Sequence, residues 1–389
     1  MDVEKIRAET PGIAHVTHLL ASGAALMPRG VIDAVTGHIE FEGRIGGYEA
    51  AAARRADLDL VYDVIARLIG ARPGEIALAE NATDAWCRIF YALKLRPGDR
   101  LITCQAEYAA NYVAFLHRAR RDGIEIDIAP STPSGEIDPA ALEALIGPRT
   151  ALIAITWVPT NGGLVNPAAA IGRIARRHGV PYLLDACQAV GQMPVDVSEL
   201  GCDFLSATGR KFLRGPRGTG FAYIAAPWIE RLEPAMIDHF AAPWVAADQY
   251  RLRSDARRFE SWENAYALRA GLRAAAEYAL EIGLEAIRSR AWGLADELRA
   301  RLKDLKGARL HDLGAERCAI VSFTLDGLEP DHVVGTLRAR GINIGASRPA
   351  STRLDAEARH LPILLRAAPH YYNDSADLDR LIRALHKLS

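Results

Sequence analysis

The sequence predicts an α/β fold in which a large, mainly parallel sheet is covered by helices and is followed by a smaller α+β domain. Between residues 73 and 224, short apolar segments alternate with amphipathic helical segments, a pattern typical of repeated β-α-β units. From about residue 265 the chain becomes strongly helical, and the remainder mixes strands with helices. The 389 residues suffice for two domains at roughly 100–200 residues each.

The predicted strands of the first domain are short and apolar, as expected for strands buried on both faces of a parallel sheet. Pro28 marks the start of a helix that precedes the sheet, since a proline is tolerated in the first helical turn. The stretch 49–69 is a second amphipathic helix. Strands are predicted at 76–79, 100–104, 124–128, 150–156, 181–185, 204–207, 220–224, 319–324 and 342–345, and later helices at 83–93, 109–122, 139–146, 167–178, 331–340 and 375–387.

Charge and hydropathy patterning exclude several classes of function. The 47 Lys and Arg residues nearly balance the 48 Asp and Glu residues, so no global field favours binding to nucleic acid or to an anionic membrane. No apolar run reaches the roughly 18 residues of a membrane-spanning helix. The first ten residues are charged and lack the apolar segment of a signal peptide, so we expect a cytoplasmic protein.

The five cysteines argue against a disulfide framework and against a metal site. Their number is odd, they are scattered, and none forms a Cys-x-x-Cys pair. We therefore expect reduced thiols and no bound metal. The cysteines are Cys87, Cys104, Cys187, Cys202 and Cys318.

The segment 181–224 contains the most informative pattern of the chain. Asp185 ends an apolar strand, so its carboxylate should lie at the carboxyl edge of the sheet, where α/β proteins place their ligands. Gln188 follows three residues later, and Lys211 follows Asp185 by 26 residues within Thr-Gly-Arg-Lys, ahead of the glycine-rich Gly-Pro-Arg-Gly-Thr-Gly. Each residue alone has a simple structural explanation, such as a helix cap or a solvated surface charge. Their combination at this spacing points to a site.

This block resembles the pyridoxal 5'-phosphate (PLP) enzymes of fold type I, and within them the aminotransferase class V group. That group includes cysteine desulfurases, isopenicillin N epimerase-like proteins and C–S lyases. The resemblance runs from SGAALMPRGVIDA to RAAPHYYN and implies a seven-stranded, mainly parallel sheet in the large domain. It also implies an N-terminal arm (1–30) beside the small domain and the substrate mouth, a PLP-binding domain (31–265), and a linking helix with the small domain (266–389).

The chemistry of the coenzyme fits Lys211 and Asp185. A lysine that forms a Schiff base must be partly neutral near pH 7, and the flanking Arg210 and Arg214 favour the neutral amine. An acid beside the pyridine nitrogen keeps that nitrogen protonated, so that the ring can accept electrons from Cα; Asp185 is placed for this role. The resemblance implies that Gln188 bonds the phenolic oxygen of the ring.

The coenzyme phosphate should lie at a helix N-terminus, where unpaired N–H groups and the helix dipole favour an anion. Asn81, Ala82 and Thr83 stand between a strand and a helix and match the phosphate loop of the family, although they also suit a plain N-cap. The resemblance assigns Thr208 and Arg210 to a second phosphate contact.

The remaining site residues follow from the resemblance. Tyr108 aligns with a residue that stacks on the coenzyme ring, with a core tyrosine as the alternative. Arg366 aligns with the arginine that binds the substrate carboxylate in a bidentate manner. Ser22 of the arm should line the substrate mouth, and Asn161 or Thr160 should supply a polar contact where Thr156-Trp157 departs from the family pattern.

The resemblance also implies a homodimer with shared active sites. The segment RFESWEN at 258–264 matches a stretch that reaches the coenzyme of the neighbouring subunit in relatives, so Trp262 and Asn264 should lie near that site. His370 and Asn373 in the Pro-His-Tyr-Tyr-Asn segment are expected to form a structural turn.

The reaction type stays open between three classes. Segment 345–365, where persulfide-forming cysteine desulfurases carry a nucleophilic cysteine, contains none, so a desulfurase of that type is disfavoured; Cys187 is interpreted as packing. We favour β-elimination from a sulfur-bearing amino acid by a C–S lyase. Transamination remains possible, as does epimerisation with Tyr108 as a second acid or base. A non-enzymatic binding module is disfavoured because Asp185 and Lys211 are both present.

Overall fold

The computed structural model describes residues 1–388 and alternates helices with strands along most of the chain. The α-helices, in chain order, are α1 (Val3–Ala8), α2 (Arg29–Ile45), α3 (Gly47–Ala53), α4 (Arg55–Ile69), α5 (Ala82–Ala92), α6 (Ala109–Asp122), α7 (Pro139–Ala144), α8 (Ala168–His178), α9 (Val197–Leu200), α10 (Ala226–Ile229), α11 (Tyr266–Ile282), α12 (Leu284–Lys303), α13 (Pro330–Ala339), α14 (Arg353–Ala358) and α15 (Ser375–His386). Short 3₁₀ helices lie at Pro11–Ala14, Pro73–Glu75, Ala256–Phe259 and Pro349–Thr352.

The strands are short, as the apolar segments of the sequence indicate. In chain order they are β1 (Thr17–His18), β2 (Ile76–Ala79), β3 (Arg100–Cys104), β4 (Glu125–Ala129), β5 (Thr150–Thr156), β6 (Tyr182–Asp185), β7 (Phe204–Thr208), β8 (Gly220–Ile224), β9 (Trp244–Ala246), β10 (Gln249–Tyr250), β11 (Ala308–Leu310), β12 (Val321–Leu325), β13 (Ile342–Asn343), β14 (Gly345–Ser347) and β15 (Leu364–Ala367).

A seven-stranded sheet within residues 1–388 has the strand order β2-β8-β7-β6-β5-β3-β4. The pairs β3–β4, β3–β5, β5–β6 and β6–β7 are parallel, whereas β8 runs antiparallel to both of its neighbours, β2 and β7. The predicted mainly parallel sheet is therefore confirmed. Strand β6 occupies the middle of the sheet, so the residue at its carboxyl end lies at the centre of the edge where ligands bind in such folds.

Successive residues of the central strands supply two hydrophobic cores, one on each face of the sheet. Leu183 packs in a cluster with Trp86 and Phe115 of α5 and α6, whereas Leu184 packs in the cluster on the other face. This division follows from the period of two residues in a strand. Burying a leucine side chain contributes roughly 1.5–3 kcal/mol, which explains why these strands are almost entirely apolar.

The predicted long helix after residue 265 is two helices. Helix α11 ends at Ile282 and α12 begins at Leu284, because Gly283 between them adopts a φ of 88°. A positive φ of this kind is readily adopted only by glycine. The break turns the chain away from the large sheet, where α11 packs on α2 and α4, toward the C-terminal part.

The C-terminal part is built on a four-stranded antiparallel sheet, which within the described residues has the order β11-β12-β15-β14. The N-terminal arm joins this part of the chain rather than the large sheet: Thr17 of β1 pairs in parallel with Ile342 of β13, and Leu20 forms a bridge to Ala368. No helix within residues 1–388 has both the length and the apolar character needed to cross a membrane.

The packing of α8 against the turn after α9 gives a test of the fold. A Cβ added at Gly172 would lie 1.9 Å from the carbonyl oxygen of Leu200, whereas one added at Gly335 of α13 would meet no atom of the described residues within 4 Å. We expect Gly172→Ala to lower the free energy of unfolding by more than about 2 kcal/mol. Gly335→Ala should raise it by about 0.5–1 kcal/mol through lower chain entropy.

Urea denaturation of both variants measures these changes. Equal stabilities for the two variants would contradict the close contact between α8 and the α9 turn.

Candidate active site

A cavity of about 370 Å³ opens at the carboxyl edge of the large sheet, where the strand ends and the loops after them meet. It brings together eight of the nine residues expected to hold the coenzyme. Gln188, the ninth, lies behind the cavity and is described below. The lining residues are Glu80, Asn81, Ala82, Thr83, Tyr108, Asn111, Asp185, Cys187, Thr208, Arg210, Lys211, Arg217 and Gly218.

Asp185 lies at the end of β6, with 5% of its surface exposed. Its Oδ1 accepts a hydrogen bond from the Cys187 N–H (2.9 Å) and its Oδ2 accepts one from Asn111 Nδ2 (2.9 Å). Burial raises the pKa of the Asp185 carboxyl, while these hydrogen bonds and the positive charge of Lys211 act in the opposite direction. The carboxylate is held in one orientation and is ready to pair with a cationic N–H group in the cavity.

Lys211 follows β7 in a buried turn and lines the same cavity as Asp185. The thiol of Cys187 lies close to this amine and lines the same cavity. Burial raises the pKa of the Cys187 thiol, and the nearby Lys211 charge opposes that rise. Cys187 thus lines the cavity, which corrects its interpretation as a packing residue.

Arg214 does not flank the Lys211 amine as expected. Its backbone has a φ of 62°, and its N–H bonds the Lys211 carbonyl in a tight turn. The guanidinium donates to the Leu26 carbonyl (2.8 Å) and to Thr10 Oγ1 (2.6 Å), both in the N-terminal arm. The turn directs the side chain away from the amine, so of the two arginines Arg210 alone lines the cavity beside Lys211.

The start of α5 forms one end of the cavity and suits an anion. Asn81 caps the helix by accepting the Asp84 N–H (2.9 Å), and Ala82 and Thr83 begin its first turn. Strand β8 approaches closely here, since a Cβ at Gly220 would lie 2.9 Å from the Ala82 nitrogen. The helix terminus therefore offers N–H groups and a favourable dipole to a phosphate.

Three further residues at the cavity also suit an anion. Thr208 donates its hydroxyl hydrogen to the Thr219 carbonyl (3.1 Å), which leaves its oxygen able to accept. Arg210 hydrogen-bonds the Gly23 carbonyl of the arm. Arg217 of the glycine-rich loop also lines the cavity, and sequence reasoning did not single it out. Its position within Gly-Pro-Arg-Gly-Thr-Gly, next to the motif lysine, was the available signal.

Gln188 and the proposed substrate residues form a hydrogen-bonded group beside the cavity. Gln188 Nε2 donates to the Ser22 carbonyl (3.1 Å) and to Thr160 Oγ1 (3.4 Å), while its buried Oε1 has no hydrogen-bond partner among residues 1–388. Arg366 of β15 donates from Nη1 to the Thr160 carbonyl (2.7 Å) and Oγ1 (2.5 Å). An unsatisfied buried amide oxygen is costly unless a ligand donor meets it.

The buried guanidinium of Arg366 can still donate a hydrogen bond to a ligand. Its Nε has no hydrogen-bond partner in the described part of the chain. Burial lowers the pKa of Arg366 to about 10, so the guanidinium stays charged at neutral pH. Asn161, in contrast, donates to Asp355 of α14 (2.7 Å), and Thr160 takes the place next to Arg366.

Tyr108 is the residue before α6 and lines the cavity with Asp185 and Lys211. Burial raises the pKa of its phenol, so the side chain is a neutral phenol near pH 7. Glu107 and Asn111, on either side of it, were missed by sequence reasoning. An acidic residue three positions after a buried strand, with an amide four residues further on, was the signal in the sequence.

The expected turn at His370 also supports the lysine loop. The His370 N–H bonds Asn373 Oδ1 (2.9 Å), and the Nε2–H donates to the carbonyl of Phe212, the residue after Lys211 (2.7 Å). Burial and the nearby Arg214 charge lower the pKa of His370 well below its usual value. The neutral imidazole therefore ties the segment after β15 to the loop that holds Lys211.

Trp262 and Asn264 lie at the surface near the cavity of their own chain. The Trp262 N–H bonds Asp238 (2.7 Å) and its ring lies 5.0 Å from that of His239. Asn264 lines a smaller cavity of about 120 Å³ that shares Glu80 and other residues with the main one.

Residues 17–381 match the sequence profile described as aminotransferase class-V. The chain belongs to the aminotransferase class-V family. A probable cysteine desulfurase of Xylella fastidiosa (strain 9a5c) is 31% identical over 345 residues, covering 88% of this chain and 82% of the relative. The cysteine desulfurase of Yersinia pestis (strain Pestoides F) is 30% identical over 401 residues, covering 99% and 98%.

Solved structures share the fold at lower identity. The cysteine desulfurase CsdA (S-sulfonic acid) from Escherichia coli superposes with a TM-score of 0.92 at 23% identity, covering 100% of this chain and 98% of that one. The cystine C–S lyase C-DES, in complex with its reaction product cysteine persulfide, gives 0.88 at 24%, covering 97% and 99%. Both support the predicted fold type I architecture.

The family member described here is a PLP-dependent enzyme, as predicted. The cavity fits the coenzyme, because the N-terminus of α5, the two arginines Arg210 and Arg217, and the buried Asp185 all line it together with Lys211. The names of the relatives conflict with the expectation that disfavoured a cysteine desulfurase of the persulfide-forming type.

The buried His370 predicts a specific loss of stability in acid. Its folded pKa lies well below the usual 6.5, so the unfolded chain binds a proton first as the pH falls below that value. Stability from this group is complete above pH 6.5 and is lost below it, by about 1.4 kcal/mol per pH unit until the folded pKa is reached.

His370→Gln retains an amide donor for the Phe212 carbonyl but does not titrate. Between about pH 7.5 and 5.5, the unfolding free energy of the variant should fall by about 1.4 kcal/mol less than that of the wild type. The measurement is urea denaturation across this pH range, and parallel losses would show that His370 is not buried as a neutral ring.

Proposed function

We propose that the enzyme cleaves the Cβ–S bond of a cysteine-derived amino acid by β-elimination. The proposal rests on the amino-acid composition of the segment beside the active site. Residues 345–365 pack against the large domain, where Gln105 Nε2 donates to the Leu354 carbonyl (2.9 Å) and Asn161 binds Asp355. This segment contains no cysteine. Elimination needs no protein thiol, whereas transfer of sulfur to the protein does.

The placement of three of the remaining thiols supports the same conclusion. Cys104, Cys202 and Cys318 are buried away from the cavity, and burial raises the pKa of each, to about 12 for Cys318. A thiol is nucleophilic as the thiolate, so these groups are inert near neutral pH. Among the thiols of residues 1–388, Cys187 alone lines the main cavity.

Residues in and beside the cavity have different roles in the elimination. Bound PLP supplies an electron-accepting ring for the charge that develops at the substrate Cα. Arg366 binds the substrate carboxylate, and Lys211 Nζ accepts the Cα proton. The Cβ–S bond then breaks and the sulfur leaves with its electron pair as a thiolate. With one water consumed, the products are pyruvate, ammonium and a thiol.

Asp185, Gln188 and Tyr108 orient the ring for this chemistry. We assign the ionised Asp185 to the pyridine nitrogen, Gln188 to the phenolic oxygen and Tyr108 to one ring face. The phosphate takes the first turn of α5 at Asn81, Ala82 and Thr83, together with Thr208 and Arg210. Ser22 and Asn161 lie at the substrate side, where Ser22 contacts Gln188 and Asn161 fixes α14 through Asp355.

Cysteine desulfuration is the second candidate, because relatives of 30% and 31% identity are named cysteine desulfurases. In that reaction L-cysteine gives L-alanine, and its sulfur passes to a thiol as a persulfide. An external thiol or Cys187 would have to accept the sulfur.

Product analysis separates these reactions. We expect an S-substituted L-cysteine to give pyruvate and ammonium in equal amounts, measured by mass spectrometry and coupled assay, with Lys211→Ala as the inactive control. Alanine from L-cysteine, with a persulfide on Cys187 or on added thiol, would establish desulfuration. A 2-oxo acid that keeps its sulfur would indicate transamination, and exchange of the Cα hydrogen alone would indicate epimerisation.

We further propose that the enzyme is a homodimer joined near residues 236–262. This segment exposes large apolar side chains, with Met236 71%, Trp244 75% and Tyr250 52% exposed. Such a concentration is typical of a protein–protein interface. The neighbouring Trp262 and Asn264 would then lie close to the partner's active site.

Sedimentation velocity at micromolar concentration should give twice the chain mass of 42.3 kDa. Trp244→Glu should shift this equilibrium toward the single chain, because it places a charge in an apolar contact. A wild-type protein that sediments as one chain at every concentration would contradict the proposal.

A further inference from the structure

A second buried carboxylate, Glu107, lies behind the active site, and the reaction described above does not use it. It follows β3 and has 3% of its surface exposed. Its two oxygens accept hydrogen bonds from the ends of two neighbouring strands and from the start of α6. The donors are Thr103 Oγ1 (2.9 Å), Cys104 Sγ (3.5 Å), Tyr108 N (2.9 Å), Asn111 Nδ2 (2.8 Å), Thr156 N (3.0 Å) and Thr156 Oγ1 (2.5 Å).

Three of these donors are N–H groups, those of Tyr108, Asn111 and Thr156, and each oxygen of the carboxyl group accepts at least one of them, which favours the ionised form. Burial raises the pKa of Glu107, and the hydrogen bonds from Thr156, Asn111 and Thr103 lower it. The set of donors therefore stabilises the charge inside the protein.

Asn111 links this carboxylate to the active site. Its Nδ2 donates one hydrogen to Glu107 Oε1 (2.8 Å) and the other to Asp185 Oδ2 (2.9 Å). A flipped amide would place the Asn111 oxygen against both carboxylates. Glu107 thus determines that Asn111 presents a donor, rather than an acceptor, to Asp185.

The same carboxylate also fixes Tyr108, whose N–H it accepts. The two side chains assigned to the coenzyme ring, Asp185 at its nitrogen and Tyr108 at its face, therefore depend on one buried group. Each Asp185 oxygen receives one protein donor and keeps further acceptor capacity for a donor in the cavity.

We propose that Glu107 is a positioning residue which, through Asn111 and the Tyr108 N–H, holds Asp185 and Tyr108 in place at the coenzyme. The inference rests on the proposed contact between Asp185 and the pyridine nitrogen. A purely structural role, in which Glu107 only joins the ends of β3 and β5, is the alternative that the experiment must separate.

The test uses holoenzyme reconstituted with PLP labelled with ¹⁵N in the pyridine ring. Glu107→Gln keeps the size of the side chain but turns an NH₂ group toward the donors. We expect the ring ¹⁵N resonance to move toward that of an unprotonated pyridine. The dissociation constant of the coenzyme should rise by about tenfold or more, as when a residue that orients the direct ligands of a bound group is lost. The kcat should fall more than KM changes.

Glu136→Gln is the matched control. Glu136 is also a buried carboxylate that accepts hydroxyl hydrogen bonds, from Thr132 (2.8 Å) and Ser134 (2.6 Å), but it lies outside the cavity. Its substitution should leave the ¹⁵N resonance and the coenzyme dissociation constant at their wild-type values, whatever its effect on thermal stability.

Asp185→Asn distinguishes the proposed role of Asp185 from the positioning role of Glu107. If it leaves the ¹⁵N resonance unchanged, the proposed role of Asp185 is wrong. If Asp185→Asn moves the resonance and Glu107→Gln does not, the positioning role of Glu107 is wrong and the proposed function stands.

Asn111→Ala covers the case in which Glu107→Gln does not fold. It removes the link to Asp185 and leaves the other donors to Glu107 in place. We expect a smaller shift of the ¹⁵N resonance in the same direction and a weaker coenzyme complex. Wild-type values of both quantities in Asn111→Ala would overturn the proposal.

Discussion

The active site depends on keeping the negative charge of Asp185 inside the protein at the end of the central strand. Removing a carboxylate from water costs several kcal/mol unless donors or opposite charges replace the lost hydration. The Cys187 N–H, the Asn111 amide and the positive charge of Lys211 provide that replacement. These groups are themselves held in place by further hydrogen bonds. The hydrogen-bonded network around Asp185 therefore extends from β6 to β3 and β5.

A second set of contacts holds the turn that carries Lys211. The Arg214 guanidinium lies 4.9 Å and 4.7 Å from the ring centroids of Tyr371 and Tyr372 while it bonds the N-terminal arm. His370 holds the Phe212 carbonyl from the same region. Cation–π contacts in a desolvated setting contribute roughly 2 kcal/mol, so the lysine turn is anchored by residues that never meet substrate.

The site residues that could be found from the sequence are those that a few neighbouring residues in the chain identify. Asp185 ends an apolar strand, Thr83 opens a helix, and Lys211 stands in a short motif, so each could be placed from a few neighbours. For Glu107 the local signal was incomplete, because its partner Thr156 is distant in sequence and meets it only through the pairing of β3 with β5.

Arg214 shows the opposite failure. Proximity in sequence suggested that it flanks the lysine amine, but its positive φ sends the side chain toward the arm. The expected continuous helix after residue 265 likewise ignored the backbone freedom of Gly283. The alternation of strands and helices, by contrast, is a repeated pattern, and the mainly parallel sheet followed from it correctly.

The pairing of β1 with β13 has a consequence for how the enzyme is made. Thr17 meets Ile342, and Arg7 reaches the Tyr372 carbonyl, 365 residues further along the chain (2.8 Å). Contacts between such distant residues form late, because the loop between them must close first. During synthesis, β1 has no strand partner until Ile342 and Asn343 of β13 have left the ribosome. The contact by which His370 supports the turn that presents Lys211 likewise cannot form before the last part of the chain has been made.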